Sequence, residues 1–154
     1  MYQLILASLS RQEKGLELLQ TLLEQEYRLI CQRKMDLVSH LEFSIQELIR
    51  QLVVEKEFVM ERLCGTPLRT YAEGLSLPER TPLLETLLLL DDIEQKTSRQ
   101  ASRNSQLALA LLDQNARSMQ TLFDQALPQR TLVYGRKGAM QQVAEQGALI
   151  SGRL

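Results

Sequence analysis

The chain has 154 residues, a net charge of −1 and 44% apolar residues, with only 5% aromatic residues and no Trp. The net charge is near neutral, so the chain lacks the excess of basic residues that nucleic-acid-binding proteins carry. One His and two Cys are too few to form the usual ligand set of a zinc site. No apolar run reaches the ~18 residues that cross a membrane. Leu, Gln, Glu and Arg dominate, while Gly and Pro are few, which predicts an all-α, cytoplasmic protein without membrane insertion.

Residues 2–63 contain one Gly, Gly15, and no Pro, which predicts one long helix or two helices joined without a strong break. Glu26, Arg33 and Glu55 interrupt an otherwise apolar seam. An alternative, in which this segment folds back near residues 32–36 to make a three-helix bundle, stays open. The seam has coiled-coil spacing and comprises Leu9, Leu16, Leu19, Leu23, Ile30, Leu37, Leu41, Ile45, Leu48, Leu52, Val59 and Leu63.

A connector follows at residues 64–82, which hold two Gly and three Pro. Thr66 is predicted to cap a short helix, with Pro67 at its first position and Gly74 just past its end. The N-terminal apolar stretch, Leu4, Ile5, Leu6 and Leu9, extends beyond the length of a second helix. We therefore expect part of it to lack an intrachain partner and to support a homodimer.

Thr81 and Pro82 predict the start of a second long helix, because no Gly or Pro lies between residues 83 and 127. Asn104 and Asn115 fall on its inward seam, where a buried Asn fixes the register of a coiled coil. Small polar residues at 97–106 predict the weakest part of the bundle. The seam comprises Leu83, Leu87, Leu90, Ile93, Thr97, Ala101, Asn104, Ala108, Leu111, Asn115, Met119, Leu122 and Ala126.

The predicted fold is a long antiparallel helical hairpin, a coiled-coil-like bundle with a short connector helix and a C-terminal tail. Residues 1–127 form the predicted hairpin domain, and residues 128–154 form an interaction segment with a net charge of +3. The tail reads as an extended piece at Thr131–Tyr134, a Gly-rich turn and a short helix. Being too small to bury a core, it is predicted to be either mobile or ordered by a partner.

The sequence offers no catalytic constellation. His40 has no second His or Cys at ligand spacing, so we expect a solvated helix residue. Cys31 and Cys64 have no paired base, so we expect semi-buried structural thiols. Acidic residues at 91–94 complement the dipole of the second helix. The sequence therefore predicts no enzyme activity, no cofactor and no metal.

Three stretches carry a family resemblance: residues 22–52, residues 103–122 with Arg103-Asn104 at their start, and TLVYGRKG at residues 131–138. In this order they resemble the FlgN-type flagellar export chaperones. The last stretch is close to that family's Thr-x-Tyr-Gly-x-x-Gly signature. Here two residues, rather than one, separate Thr131 from Tyr134.

The resemblance implies a cytoplasmic chaperone of flagellar type III protein export that binds the C-terminal helical regions of hook-associated (hook-filament junction) proteins. It would prevent their premature assembly and deliver them to the export gate and ATPase complex. Carried over, it assigns Tyr134 and Gly135 to docking on the export gate. The implied substrate-binding residues are Leu127, Leu132, Val133, Met140, Val143, Leu149 and Ile150.

An alternative of another class also fits the helices. The chain would then be a structural coiled-coil adaptor or stalk component of a secretion apparatus, using its whole hairpin in a constitutive contact. The tail discriminates between the two hypotheses, because a stalk has no need for the Tyr134-Gly135 piece.

Overall fold

The computed structural model describes residues 1–126 in full, and the backbone of residues 132–134 and 140–142. The prediction of an all-α fold is confirmed, with two three-residue strands as the exceptions in the part of the chain described. The elements are α1 (Tyr2–Cys31), α2 (Met35–Arg62), α3 (Leu68–Glu73), α4 (Leu77–Ala126), β1 (Leu132–Tyr134) and β2 (Met140–Gln142).

Helices α1 and α2 form an antiparallel pair, with Leu19 and Leu23 of α1 in one apolar cluster with Ile45 of α2. The chain reverses at residues 32–34, where Arg33 takes a left-handed backbone conformation with φ of 57°. The backbone amide of Lys34 donates to the carbonyl oxygen of Leu29 at 3.0 Å and closes the turn. The first segment is therefore two helices, and the fold-back near residues 32–36 is the arrangement that the structure adopts.

The main core lies where the start of α1, the end of α2, α3 and the start of α4 meet. Ile5 and Leu9 are buried there, so the part of the N-terminal stretch that was expected to lack an intrachain partner does not include these two residues. Leu4 is exposed, as expected. The core residues are Ile5, Leu9, Leu16, Val59, Leu63, Ala72, Leu83, Leu90 and Ile93.

Gly15 sets how closely α1 and α2 approach. A Cβ atom at this position would lie 2.8 Å from Cδ2 of Leu52 and 3.9 Å from Cδ1 of Leu48. Contacts shorter than 3 Å are essentially never seen for real Cβ atoms. The single glycine of the first segment is therefore a packing residue within a continuous helix.

The predicted short connector helix is confirmed as α3, Leu68–Glu73, and Gly74 follows it as predicted. Pro67 is the N-cap of α3 rather than its first residue, so the predicted cap at Thr66 is wrong. Helix α4 begins at Leu77 and carries Pro82 inside it, so the predicted start at Thr81 and Pro82 is wrong. The hydroxyl of Ser76 bonds to the carboxylate of Glu79 at 3.1 Å. This Ser-x-x-Glu pairing is a helix-start signal earlier in the chain.

The chain divides into two compact units, Met1–Ala108 and Leu109–Leu154. All buried residues of the fully described region lie in the first unit. In the second unit, β1 pairs with β2 in antiparallel register, with Val133 opposite Gln141. The predicted extended piece is confirmed at Leu132–Tyr134, and residues 140–142 form a second strand that the sequence analysis does not predict. The predicted domain boundary at residue 128 stays a prediction.

Candidate protein-binding surface

Asn104 is the last buried residue of α4 in the described region. Its side-chain Nδ2 donates to the carbonyl oxygen of Leu23 and to Oε2 of Glu26, both at 2.7 Å. Its Oδ1 accepts from Nε2 of Gln100 at 2.8 Å. The inward position predicted for Asn104 is confirmed. Because these bonds form in one alignment only, Asn104 fixes the register of α4 on α1.

Glu26 of α1 is the acidic partner in this contact and is only 7% exposed. Burial raises the pKa of its carboxyl group, and hydrogen bonding and repulsion from the neighbouring Glu42 act in the same direction. The bond from Asn104 opposes this shift, because it favours the charged form. Glu26 appears in the sequence as an interruption of the seam, and its buried polar partner explains that interruption.

Beyond Asn104 the character of α4 changes, since none of residues 105–126 is buried. Four of them follow one helix face at steps of three and four: Leu112, Asn115, Met119 and Leu122. Leu112 is 65% exposed, and Met119 is 57% exposed. We call these four residues the α4 stripe. Asn115 is exposed rather than buried on an inward seam, so its predicted position is wrong.

The α4 stripe has the chemistry of a docking face for another helix. Apolar side chains at this spacing match the anchors by which an amphipathic helix recognises a partner. Met119, Leu122, Phe123 and Ala126 together line a shallow apolar depression of about 230 Å³. Arg117 and Asp113 pair at 2.9 Å and give this part of the helix a polar flank. Exposed apolar stripes with polar borders usually mark protein interfaces.

The sequence predicts Met119 and Leu122 as seam residues, whereas the family resemblance assigns substrate binding to the tail. The predicted seam does not include Leu112 and Phe123. The heptad spacing was the available signal, and it does not distinguish a face packed within the chain from one left open.

The tail residues that carry the implied roles are described only in part. Leu132, Val133 and Tyr134 lie in β1 and Met140 in β2, with Tyr134 opposite Met140 in the register. The hairpin thus places Met140, to which the resemblance assigns substrate binding, opposite Tyr134, to which it assigns gate docking. Leu127, Gly135, Val143, Leu149 and Ile150 lie outside the described residues, and so does the predicted short helix beyond residue 142.

The titratable residues considered for chemistry lie apart from the α4 stripe. His40 is exposed, as expected for a solvated helix residue. Cys31 and Cys64 are free thiols and are exposed, so the prediction that they are semi-buried is wrong. Across residues 1–126, no group of three or more His, Cys, Asp or Glu side chains is placed to hold a metal ion. In the same range, no helix combines the length and apolar character needed to span a membrane.

Comparison with known proteins gives one result. The model of the FlgN protein family matches residues 1–142, which include all four helices and both strands. The searches of curated proteins and of solved structures find no match.

Proposed function

We propose a function that starts from the family of this chain, which belongs to the FlgN family of flagellar export chaperones. The chain binds the C-terminal helical regions of hook-associated proteins in the cytoplasm. It keeps these regions from assembling early and delivers them to the export gate and its ATPase complex. The observation that carries the proposal is the α4 stripe, a run of exposed apolar residues with helical spacing in a member of a chaperone family.

The physical basis is an exchange of one helical seam for another. A free amphipathic helix that forms part of a filament junction self-associates through its apolar face. The α4 stripe offers that face an equivalent set of Leu and Met contacts, so the chaperone competes with self-association. Ordering the partner helix costs free energy at the moment of binding, which moderates the affinity and permits later release.

The tail supplies the second half of the proposal. The family resemblance assigns further apolar contacts with the substrate helix to seven tail residues: Leu127, Leu132, Val133, Met140, Val143, Leu149 and Ile150. Tyr134 and Gly135 dock on the export gate. Tyr combines a large apolar body with a polar tip and is enriched at the energetic centres of interfaces, which supports its assignment to docking.

Calorimetric titration of the full chain with the C-terminal segment of a hook-associated protein tests the binding surface. Leu112→Asp and Leu122→Asp are expected to weaken binding roughly 10- to 100-fold, since each removes the burial of one Leu and places a charge in the interface. Leu88→Asp is the matched control, because Leu88 is exposed to a similar extent on the same helix but lies outside the stripe. Equal affinity for all three variants would contradict the proposal.

An export assay in cells tests gate docking. Tyr134→Ala is expected to reduce secretion of the hook-associated protein while calorimetry with the same variant shows unchanged substrate affinity. This separation of binding from delivery is the signature of a docking residue. Normal secretion by the variant would favour a structural coiled-coil adaptor, which has no use for the Tyr134-Gly135 piece.

A further inference from the structure

An open groove runs between α2 and α4 in the first unit. It consists of two cavities, of about 390 Å³ and 160 Å³, that share Gln12, Lys56 and Glu94 in their walls. Apolar side chains form most of the larger cavity: Leu9, Val59, Met60, Leu63, Leu68, Leu87 and Leu90. We call the two cavities together the α2–α4 groove.

One polar layer crosses this groove. Nζ of Lys56 lies 2.9 Å from Oε1 of Glu94, and both side chains are still substantially exposed to solvent. On α2, Val53 precedes Lys56 by three residues and Met60 follows it by four, and both are exposed. A helix that covers the groove must therefore be apolar on either side of a hydrogen-bonding residue, because burying the ion pair under an apolar side chain would leave its remaining polar valences unsatisfied.

The α4 stripe has this pattern. Its residues Leu112, Asn115, Met119 and Leu122 repeat the spacing of Val53, Lys56 and Met60 on α2 and of Leu63 at the C-cap of α2. Since both segments are α-helical with the same rise per residue, a parallel alignment brings all four levels into coincidence. At the polar level the amide of Asn115 can accept a hydrogen bond from Lys56 and donate one to Glu94.

We propose that the α2–α4 groove binds the α4 stripe of a second copy of this chain. Met119 and Leu122 fill the larger cavity, Leu112 fills the smaller one, and Asn115 completes the Lys56–Glu94 layer. Each copy carries one groove and one stripe, and a dimer closes when two copies exchange stripes about a two-fold axis. The same contact would exclude an export substrate from the α4 stripe, and this consequence rests on the proposed function. Self-association does not rest on it, because it is measured on the protein by itself.

Sedimentation equilibrium of the full chain over a range of concentrations tests the proposal. The wild type is expected to show a monomer–dimer equilibrium. Val53→Asp in the groove and Met119→Asp in the stripe are each expected to raise the dissociation constant at least about tenfold. Val54→Asp is the matched control, because Val54 is the next residue on the same helix, is 52% exposed against 48% for Val53, and does not line the groove.

Mixing the two variants distinguishes stripe-in-groove contact from stripe-to-stripe contact. The Val53→Asp copy keeps its stripe and the Met119→Asp copy keeps its groove, so the mixture is expected to form heterodimers more readily than either variant forms homodimers. Circular dichroism checks that each variant keeps its helices. A wild type that stays monomeric up to its solubility limit overturns the proposal, and so does a Val53→Asp variant that associates as well as Val54→Asp.

Discussion

Three charged residues interrupt the apolar seam of the first segment, and the structure gives each a different role. Glu26 bonds to Asn104, Arg33 occupies the left-handed turn, and Glu55 accepts hydrogen bonds from Ser8 and Arg11 at 2.7 Å each. The sequence could locate these interruptions, because charged side chains rarely lie on a buried seam unpaired. It could not identify their partners, which are up to 78 residues away along the chain.

Asn104→Ala is expected to destabilise the first unit by about 2–3 kcal/mol at pH 7, the range for a hydrogen bond to a buried charged group. The loss should be smaller near pH 4, because protonated Glu26 needs a charge-assisted bond less. Urea denaturation at the two pH values measures both effects. Equal losses at the two pH values would show that Glu26 does not carry the charge in this contact.

Glu26→Gln is expected to change how stability depends on pH. The carboxyl pKa is raised in the folded state, so the folded protein binds the proton more tightly than the unfolded chain. Wild-type stability is therefore lost as the pH rises from the ordinary glutamate pKa of 4.5 through the raised value. Gln cannot ionise and still accepts a bond from Asn104, so the stability advantage of the variant should grow from pH 4 to pH 7.

Glu55 provides the internal reference for that experiment. Hydrogen bonds from Arg11 and Ser8 lower its pKa, so its stabilising contribution is present above the ordinary glutamate pKa and is lost as the pH falls through the lowered value. Wild type and Glu26→Gln both lose this stability at acid pH, so the loss cancels in the difference between their free energies of unfolding. A difference between Glu26→Gln and wild type that does not change with pH would contradict the raised pKa of Glu26.

At the scale of elements, the sequence predicts well which segments are helical, but it predicts some helix ends correctly and others wrongly. Gly74 ends α3 as predicted, and the start of α3 differs from the prediction by one position, because Pro67 is its N-cap rather than its first residue. The turn at residues 32–34 contains neither Gly nor Pro, and its left-handed residue is Arg33. Packing of α2 against α1 enforces that turn, so only the tertiary structure decides between one long helix and two.

Gly15→Leu is expected to destabilise the α1–α2 pair by about 1–3 kcal/mol, the usual cost of overpacking. Gly15→Ala should be nearly neutral, because the short contact of its Cβ is with the flexible end of Leu52, and alanine regains ~0.5–1 kcal/mol of helix propensity. Urea denaturation of both variants gives the comparison. A Leu variant as stable as the Ala variant would mean that α1 and α2 can separate at this point at little cost.

At the scale of the whole molecule, the buried residues of the fully described region and the proposed binding surface lie in different units. The same heptad spacing runs along α4 from Leu83 to Leu122, yet its buried positions end at Asn104. The heptad spacing identifies which face of a helix is apolar. Whether another helix of the same chain covers that face depends on where the other helices end. For this reason the sequence predicts Asn115, Met119 and Leu122 of the α4 stripe as seam residues and cannot predict that they are exposed.

A fragment of residues 1–108 is expected to fold by itself, because it contains every buried residue of the fully described region, including the Asn104–Glu26 contact. Circular dichroism should show a cooperative thermal transition within a few degrees of that of the full chain, lowered slightly by fraying of the shortened α4. The fragment should also lose measurable affinity for the hook-associated segment, since it lacks the α4 stripe and the tail. A fragment that unfolds below room temperature would show that residues 109–154 stabilise the bundle, and a folded fragment that still binds would place the binding surface in the first unit.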